Sequence, residues 1–450
     1  MWIHFENLIA GMLPFVLTLL CGIYLSFKGR FFQFTKFFET LKLVKTAFKN
    51  NRKSSESTSY KAACTALSAT VGTGNIAGVA SAVTLGGAGA VFWMWVSAFM
   101  GVAVKYAEIA LSIKYREKNG GDFIGGPMYY IKNALPKSFK FLSLLFAVAA
   151  LPAVFFSGNI TQTNAAVEVL AKGNPRIFWG AIFAVLTALV SAGGIKRIGN
   201  VTELLVPLMS VIYTVLAFGI IIYNIDFLPK AFKMIIAGAF SPKAVTGGAV
   251  GSVFTVMMTG ASRGIFSNEA GLGTSAMAHS CALDANADTQ GLFGVFEVFI
   301  DTIVMCTLTA LMILCSNVSI NYGSSEASLL AGKSMALCYG KAGYFLLSVM
   351  MAVFAFSSII GWAVYGNICV RFFMGKKGEK IFNFLYPVAC IAGAAMNTEI
   401  SWRLSAFFNG IMLCVNVCAI LLLADKIFKI KEGNQNDRES KKLLRNIKRR

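Results

Sequence analysis

Ala69-Thr70-Val71-Gly72-Thr73-Gly74-Asn75-Ile76-Ala77-Gly78 lies inside an apolar segment long enough to cross a membrane, yet it is not composed like a crossing helix. Glycine in a helix interior costs about 1 kcal/mol relative to alanine. Threonine and asparagine side chains divert hydrogen bonds from the helix to themselves. Non-helical backbone at bilayer depth is tolerated only where it is buried in protein or lines a watery cavity. The stretch therefore predicts a broken span whose freed amides and carbonyls meet a polar guest. A glycine-rich face for close helix packing is the alternative that stays open. Gly72 to Ala77 also matches a dinucleotide fingerprint in form, but that motif needs a preceding strand and a soluble βαβ unit, and neither surrounds it.

Outward from this stretch, apolar runs recur along all 450 residues, each about the 20 residues that a bilayer requires. The chain is 56% hydrophobic and 14% charged, whereas soluble domains carry about 25% charged residues. It reads as a polytopic helical membrane protein. Ten cysteines are scattered without a CxxC pair and read as buried free thiols. His4 and His279 are isolated, and neither has metal-ligand spacing. The net charge of +20 gathers in short segments between and after apolar runs. That pattern marks cytoplasmic loops near anionic lipid and argues against nucleic acid as a partner.

Residues 8–27 form the first span. No basic residue precedes it and Lys28 and Arg30 follow it, which argues against a secretory signal and sets the N-terminus outside. Residues 28–53 carry eight Lys or Arg against one Glu and alternate apolar and basic at helical spacing, as a segment lying on the inner membrane surface would. Trp93 and Trp95 suit an interfacial belt. Gly120-Gly121 and Gly125-Gly126-Pro127 predict a loop. A second broken span occupies 248–281, with Thr259 to Gly271 as its irregular middle. Residues 324–339 predict a short outer amphipathic helix. The tail has ten Lys or Arg against three acids and is expected to be cytoplasmic.

The organisation expected is an extra N-terminal span in 1–27, a basic cytoplasmic segment in 28–60, a first five-helix repeat in 61–225, an extracellular connector in 226–247, a second five-helix repeat in 248–425 and a basic inner tail in 426–450. Each repeat opens with a broken helix, and five spans per repeat force opposite orientations. This is the inverted-repeat plan of secondary transporters, eleven spans in all, with substrate and ion at mid-membrane. The C-terminus falls on the cytoplasmic side of the cell membrane.

Several side chains are candidates for chemistry. Half-helix N-termini offer amides to a carboxylate, and unwound carbonyls suit a hard cation such as Na⁺. Arg263 and Glu269 near mid-membrane should be paired or face water, as a gate, an ion pair or a substrate contact. Lys105 and Glu108 on one helix, and Glu297 and Asp301 on another, serve either as a proton relay or as structural partners. Ser357 and Ser358 bond back to their helix or act as oxygen ligands opposite Val71. No Ser/His/Asp set or metal cluster points to an enzyme, and a channel would need a continuous pore.

Gly86-Gly87-Ala88-Gly89-Ala90-Val91-Phe92-Trp93-Met94-Trp95-Val96-Ser97-Ala98-Phe99-Met100-Gly101 resembles the signature of the alanine or glycine:cation symporter family, also called sodium:alanine symporters. Gly72 to Gly78, Gly125-Gly126-Pro127-Met128-Tyr129-Tyr130 and Ser267-Asn268-Glu269-Ala270-Gly271 resemble its other motifs, and the likeness covers residues 7–425. The resemblance implies an all-α leucine-transporter-type 5+5 inverted repeat with one extra N-terminal helix. It implies symport of alanine, glycine or another small neutral amino acid with Na⁺. H⁺ coupling, or serine or a D-amino acid as substrate, is the alternative. Carried over residue by residue, it gives Thr73, Gly74, Asn75, Gln162, Phe266, Ser267, Asn268 and Trp362 to the substrate. Backbone oxygens of Ser68 and Val71 and the hydroxyls of Ser357 and Ser358 go to Na⁺.

Overall fold

The computed structural model describes residues 8–51, 58–119, 121–171, 175–242, 246, 248, 252–323 and 327–428. The basic tail expected from 426 therefore lies almost wholly outside the described residues. Apart from isolated turns such as the four-residue helical turn Phe32–Thr35, helices make up nearly all of the rest. In chain order they are α1 (Leu13–Lys28), α2 (Phe37–Asn51), α3 (Ser59–Thr70), α4 (Ala77–Gly86), α5 (Gly89–Lys114), α6 (Pro127–Ala134), α7 (Phe141–Phe155), α8 (Thr161–Leu170), α9 (Arg176–Ser191), α10 (Gly194–Tyr223), α11 (Leu228–Phe240), α12 (Val253–Asn268), α13 (Thr274–Ser280), α14 (Ala287–Val298), α15 (Thr307–Cys315), α16 (Ala327–Tyr339), α17 (Lys341–Ala395) and α18 (Thr398–Leu422). Single π-helical stretches, Phe156–Ile160 and Phe299–Cys306, join α7 to α8 and α14 to α15.

Among the described residues, seven helical runs are long and apolar enough to cross a membrane, or eight when α3 and the run through α4 count as one bent span. The 55-residue α17 is divided at Gly375, whose backbone (φ 60, ψ −153) is not helical. Exposed apolar side chains mark the lipid-facing sides. On α10 Leu204, Leu208, Val211, Val215 and Ile222 recur on one exposed face, at the i, i+4, i+7 spacing of a helix stripe.

Helix starts are fixed locally. Thr58 accepts from the Lys61 amide at α3, Ser252 from Thr255 at α12, Asn286 from Asp288 at α14 and Asn397 from Ile400 at α18. Each cap satisfies one orphan amide and is worth about 1 kcal/mol. Association between spans gains little from hydrophobicity in lipid and relies on close packing. α5 lies deep in the bundle against α12 and α14. Gly260 and Gly264 let α12 approach it. A Cβ on Gly260 would sit 2.1 Å from the Ala90 carbonyl oxygen, and one on Gly264 2.3 Å from Ser97 Oγ.

One local expectation changes. The glycine-rich stretch after α5, expected as a loop, is a hairpin of β1 (Glu117–Asn119) and β2 (Asp122–Ile124) followed at once by α6. Pro127 sits in the first turn of α6, where its missing N–H has no helical partner to lose. Trp93 and Trp95 are half-buried and donate to protein, to Ala239 O at 3.3 Å and Thr307 Oγ1 at 2.8 Å. The connector contains α11, whose backbone at Gly238 lies against Gly89. The basic segment does form a helix, α2. Lys36 just before it pairs with Asp288 of α14 at 3.5 Å.

Candidate transport site

The first break is one of redirected hydrogen bonds. A continuous helix would pair Ser68 O with the Gly72 amide and Val71 O with the Asn75 amide. Instead the Gly72 amide donates to Asn75 Oδ1 at 2.8 Å, and the Asn75 amide donates to Gly72 O at 3.2 Å. Val71 leaves the helical region (ψ 89), Gly72 is extended, and one 3-10 turn leads into α4, which runs 53° off α3. The redirected amides of Gly72, Thr73 and Asn75 release the carbonyls of Ser68, Ala69 and Val71 from helical pairing, and of these Ala69 O accepts from Ser358 Oγ.

Side chains from four other elements hold this turn. Thr73 donates from its amide (3.3 Å) and its hydroxyl (2.7 Å) to Gln162 Oε1. Gln162 Nε2 donates in turn to Ser157 O in the π-helical stretch before α8. Asn75 Nδ2 donates to Asp301 Oδ1 at 2.7 Å, Asp301 O at 3.1 Å and Ser267 Oγ at 3.2 Å. From α17, Ser358 Oγ donates to Ala69 O at 3.3 Å and would be 2.1 Å from a Cβ on Gly72. Its neighbour Ser357 is fully buried, and its hydroxyl has no hydrogen-bond partner. A helical serine normally bonds back to its own helix.

The second break lies later than the sequence suggests. Thr259 to Asn268 stay helical, because Gly260 and Gly264 serve packing against α5. Unwinding is confined to 269–273, where Glu269, Gly271 and Gly273 have φ of 55°, 87° and 78°. Asn268 Oδ1 accepts from the Ala270 amide and closes the turn. Two residues one turn apart on α5 hold its ends. Lys105 Nζ donates to Asn268 O at 2.8 Å, and Glu108 Oε2 accepts from the Gly273 amide at 3.0 Å and from Asn416. Glu297 pairs with His279 and lies 3.9 Å from Lys105. Gln290 Nε2 lies 2.6 Å from His279 Nδ1. His279 is thus not isolated, as its surroundings in sequence suggest, and Lys105, Glu108 and Glu297 have structural partners.

Arg263 and Glu269 do not pair with each other. They are six positions apart on a helix that ends between them, so they face different ways. Arg263 stacks over Trp402 at 5.0 Å, and Glu269 accepts from Thr274 Oγ1 at 2.5 Å. Phe266 packs on the same Trp402 ring, at 5.2 Å, and with Arg263 lines an open cavity of about 630 Å³ between α1, α12 and α18. Thr73, Asn75, Gln162 and Ser267 are therefore brought together, and Phe266 flanks them on the cavity side. Asn268 is committed to its turn and to Thr302 Oγ1. A Cβ on Gly74 would meet nothing within 4 Å, so space is open beside the break. Trp362 is buried, with a ring so close to Gly158 that any Cβ there would lie 2.4 Å from it. Sequence reasoning missed Asp301 as the anchor of Asn75 and Trp402 as the partner of Arg263. Each contact is made across the fold, so no local spacing reports it.

A lipid-embedded helical bundle with two broken spans and a buried polar centre is the construction of a secondary transporter. The profile of the Sodium:alanine symporter family matches residues 2–448. The sodium/alanine symporter AgcS of Methanococcus maripaludis is 37% identical over 421 residues, 91% of this chain and 92% of that protein. The probable sodium/glutamine symporter GlnT of Bacillus subtilis is 34% identical, covering 94% and 88%. In three dimensions the chain resembles MhsT, solved in complex with L-phenylalanine, with a TM-score of 0.58 and 17% identity over 80% of this chain and 89% of that one. The chain belongs to the sodium:alanine symporter family and is a transporter, not an enzyme.

Proposed function

We propose that this symporter carries alanine and glycine across the cell membrane with Na⁺, by alternating access around the two breaks. The observation that carries the reading is the fate of two carbonyls. The break releases those of Ser68 and Val71, beside an α17 that brings Ser358 to Gly72 and holds the partnerless Ser357 hydroxyl. These oxygens suit Na⁺, which takes oxygen ligands and would supply the positive charge that ties α3 to α17. Ser68, Val71, Ser357 and Ser358 are thus the proposed ligands. Thr73, Gly74, Asn75, Gln162 and Ser267 hold the amino acid, with Phe266 toward the outer cavity, Trp362 limiting side-chain size and Asn268 shaping the turn. Arg263 flanks the outer approach, and Glu269 stabilises the second break.

The eleven-span plan follows when three features join the apolar runs: the second broken span α12–α13, the short apolar α9, and the two arms of α17 counted separately. With charge setting orientation, the N-terminus lies outside, and α2 and the tail lie inside against anionic lipid.

Equilibrium binding of labelled alanine to the purified protein, in Na⁺ and in K⁺, tests the reading. Binding should require Na⁺ and be displaced by glycine but not by glutamine. Equal binding in both salts, or displacement by glutamine alone, would overturn it.

A further inference from the structure

We propose that an anionic phospholipid is a bound partner of this protein, with one acyl chain in a groove behind α3 and its phosphate on the lysines of α2. The proposal rests on the inner placement of α2 given above and extends it to a defined site.

The groove, about 430 Å³, lies between α2, α3, α10 and α14. Two ring pairs pin α2 near its ends, Phe37 on Phe299 at 4.9 Å and Phe48 on Tyr60 at 5.4 Å. Leu41, Val44 and Phe48 recur at helical spacing on α2, and Tyr60, Cys64 and Leu67 do the same on α3, so one face of each helix lines the groove. The walls from Tyr60 to Leu67 and from Phe293 to Ile300 run about two turns toward mid-membrane, a depth of about 10 Å. Apart from Lys45, the Tyr60 and Ser210 hydroxyls and the Cys64 thiol, the lining is apolar. The mouth opens on the lipid side. Leu41, Phe48 and Val211 are exposed there, and Val211 belongs to the exposed stripe of α10.

Charge selects the occupant. Lys42, Lys45 and Lys49 form an exposed stripe beside the apolar one, and Lys45 itself lines the groove. None of the three has a carboxylate within ion-pair distance among the described residues. An apolar slot that opens into hydrocarbon beneath unpaired lysines fits a chain with a phosphate at its head. A second copy of this protein would instead bring its own basic stripe toward this one.

The groove lies behind the first break. The Ser59 amide and hydroxyl donate to Asp284 at 2.6 and 2.8 Å and fasten the inner end of α3. Ala69, on the face of α3 turned away from the groove, accepts from Ser358 of α17 through its carbonyl. A chain in the groove fills the space into which α3 would retreat from α17. It thereby keeps the Ser68 and Val71 carbonyls beside Ser357 and Ser358, so lipid and Na⁺ each strengthen the other's binding.

Native mass spectrometry tests the site on the purified full-length protein, taken without Na⁺ or amino acid from micelles holding equal phosphatidylglycerol and phosphatidylcholine. Wild type should retain one phosphatidylglycerol. Lys45→Gln should weaken its retention about fivefold, and Lys42→Gln/Lys45→Gln/Lys49→Gln should erase the preference over phosphatidylcholine. Val211→Trp fills the mouth from the bilayer side and should retain none, with an unchanged melting temperature in detergent. If it misfolds, Leu41→Trp on the surface helix takes its place. Added phosphatidylglycerol should lower the Na⁺ needed for half-maximal alanine binding by wild type but not by the groove-filling variant. Equal retention of both lipids by wild type, or a groove-filling variant that still retains phosphatidylglycerol, would overturn the proposal. So would a dimer that the groove-filling variant dissolves, because a second copy would then cover the groove. A Na⁺ dependence indifferent to the lipid would overturn its coupling to the break. Retained lipid without any Na⁺-dependent alanine binding would instead defeat the transport reading and leave the lipid site standing.

Discussion

Ser357 and Ser358 are neighbours with different surroundings, and the difference predicts different phenotypes. Ser358 already donates to Ala69 O, whereas Ser357 has no partner. Ser357→Ala therefore removes no protein hydrogen bond and should leave the melting temperature unchanged. It should still raise the Na⁺ needed for half-maximal alanine binding about ten- to a hundredfold, the value of one contact to a charged group. Unaltered Na⁺ dependence would remove Ser357 from the ion site. Trp362→Ala should weaken alanine uptake and admit leucine, because the ring fills the space above Gly158. Unchanged size selectivity in a competition series would place the limit elsewhere. Much of this centre was legible in sequence, since Gly, Thr and Asn at mid-span signal a break whatever surrounds them. Asp301 was visible only as an acid four residues from Glu297. Its partner Asn75 is 226 positions away, and no periodicity reports such a contact.

The two broken spans differ in what their glycines do. Gly260 and Gly264 look like breakers in sequence but are packing surfaces, and only their contact with α5 distinguishes the two roles. Gly260→Val would press side-chain carbons against the Ala90 carbonyl, which cannot move aside within α5. Overpacking of this kind costs about 1–3 kcal/mol, so the variant should melt earlier in detergent and transport poorly. Gly74→Ala meets open space and should fold normally while lowering alanine affinity. An early-melting Gly74→Ala, or a Gly260→Val indistinguishable from wild type, would reverse these assignments. The hairpin after α5 was hidden because its glycines read equally well as a loop, and register is set by pairing rather than by composition.

At the scale of the molecule, hydropathy and loop charge made the class of fold readable. Apolar length alone stops at seven or eight crossings, and the proposed eleven adds the broken, short and merged helices to these. The orientation is testable with single cysteines in a thiol-free background. Position 233 on α11 should react from outside, and position 45 on α2 only after permeabilisation. Reaction of both from the same face would contradict the arrangement. The central claim is that a Na⁺ gradient drives amino-acid entry through the paired breaks. Labelled alanine uptake into proteoliposomes, with Na⁺ and pH gradients imposed separately, tests it most directly. An inward Na⁺ gradient alone should drive alanine above equilibrium, and a pH gradient alone should not. Accumulation driven only by the pH gradient, or downhill entry indifferent to Na⁺, would contradict it.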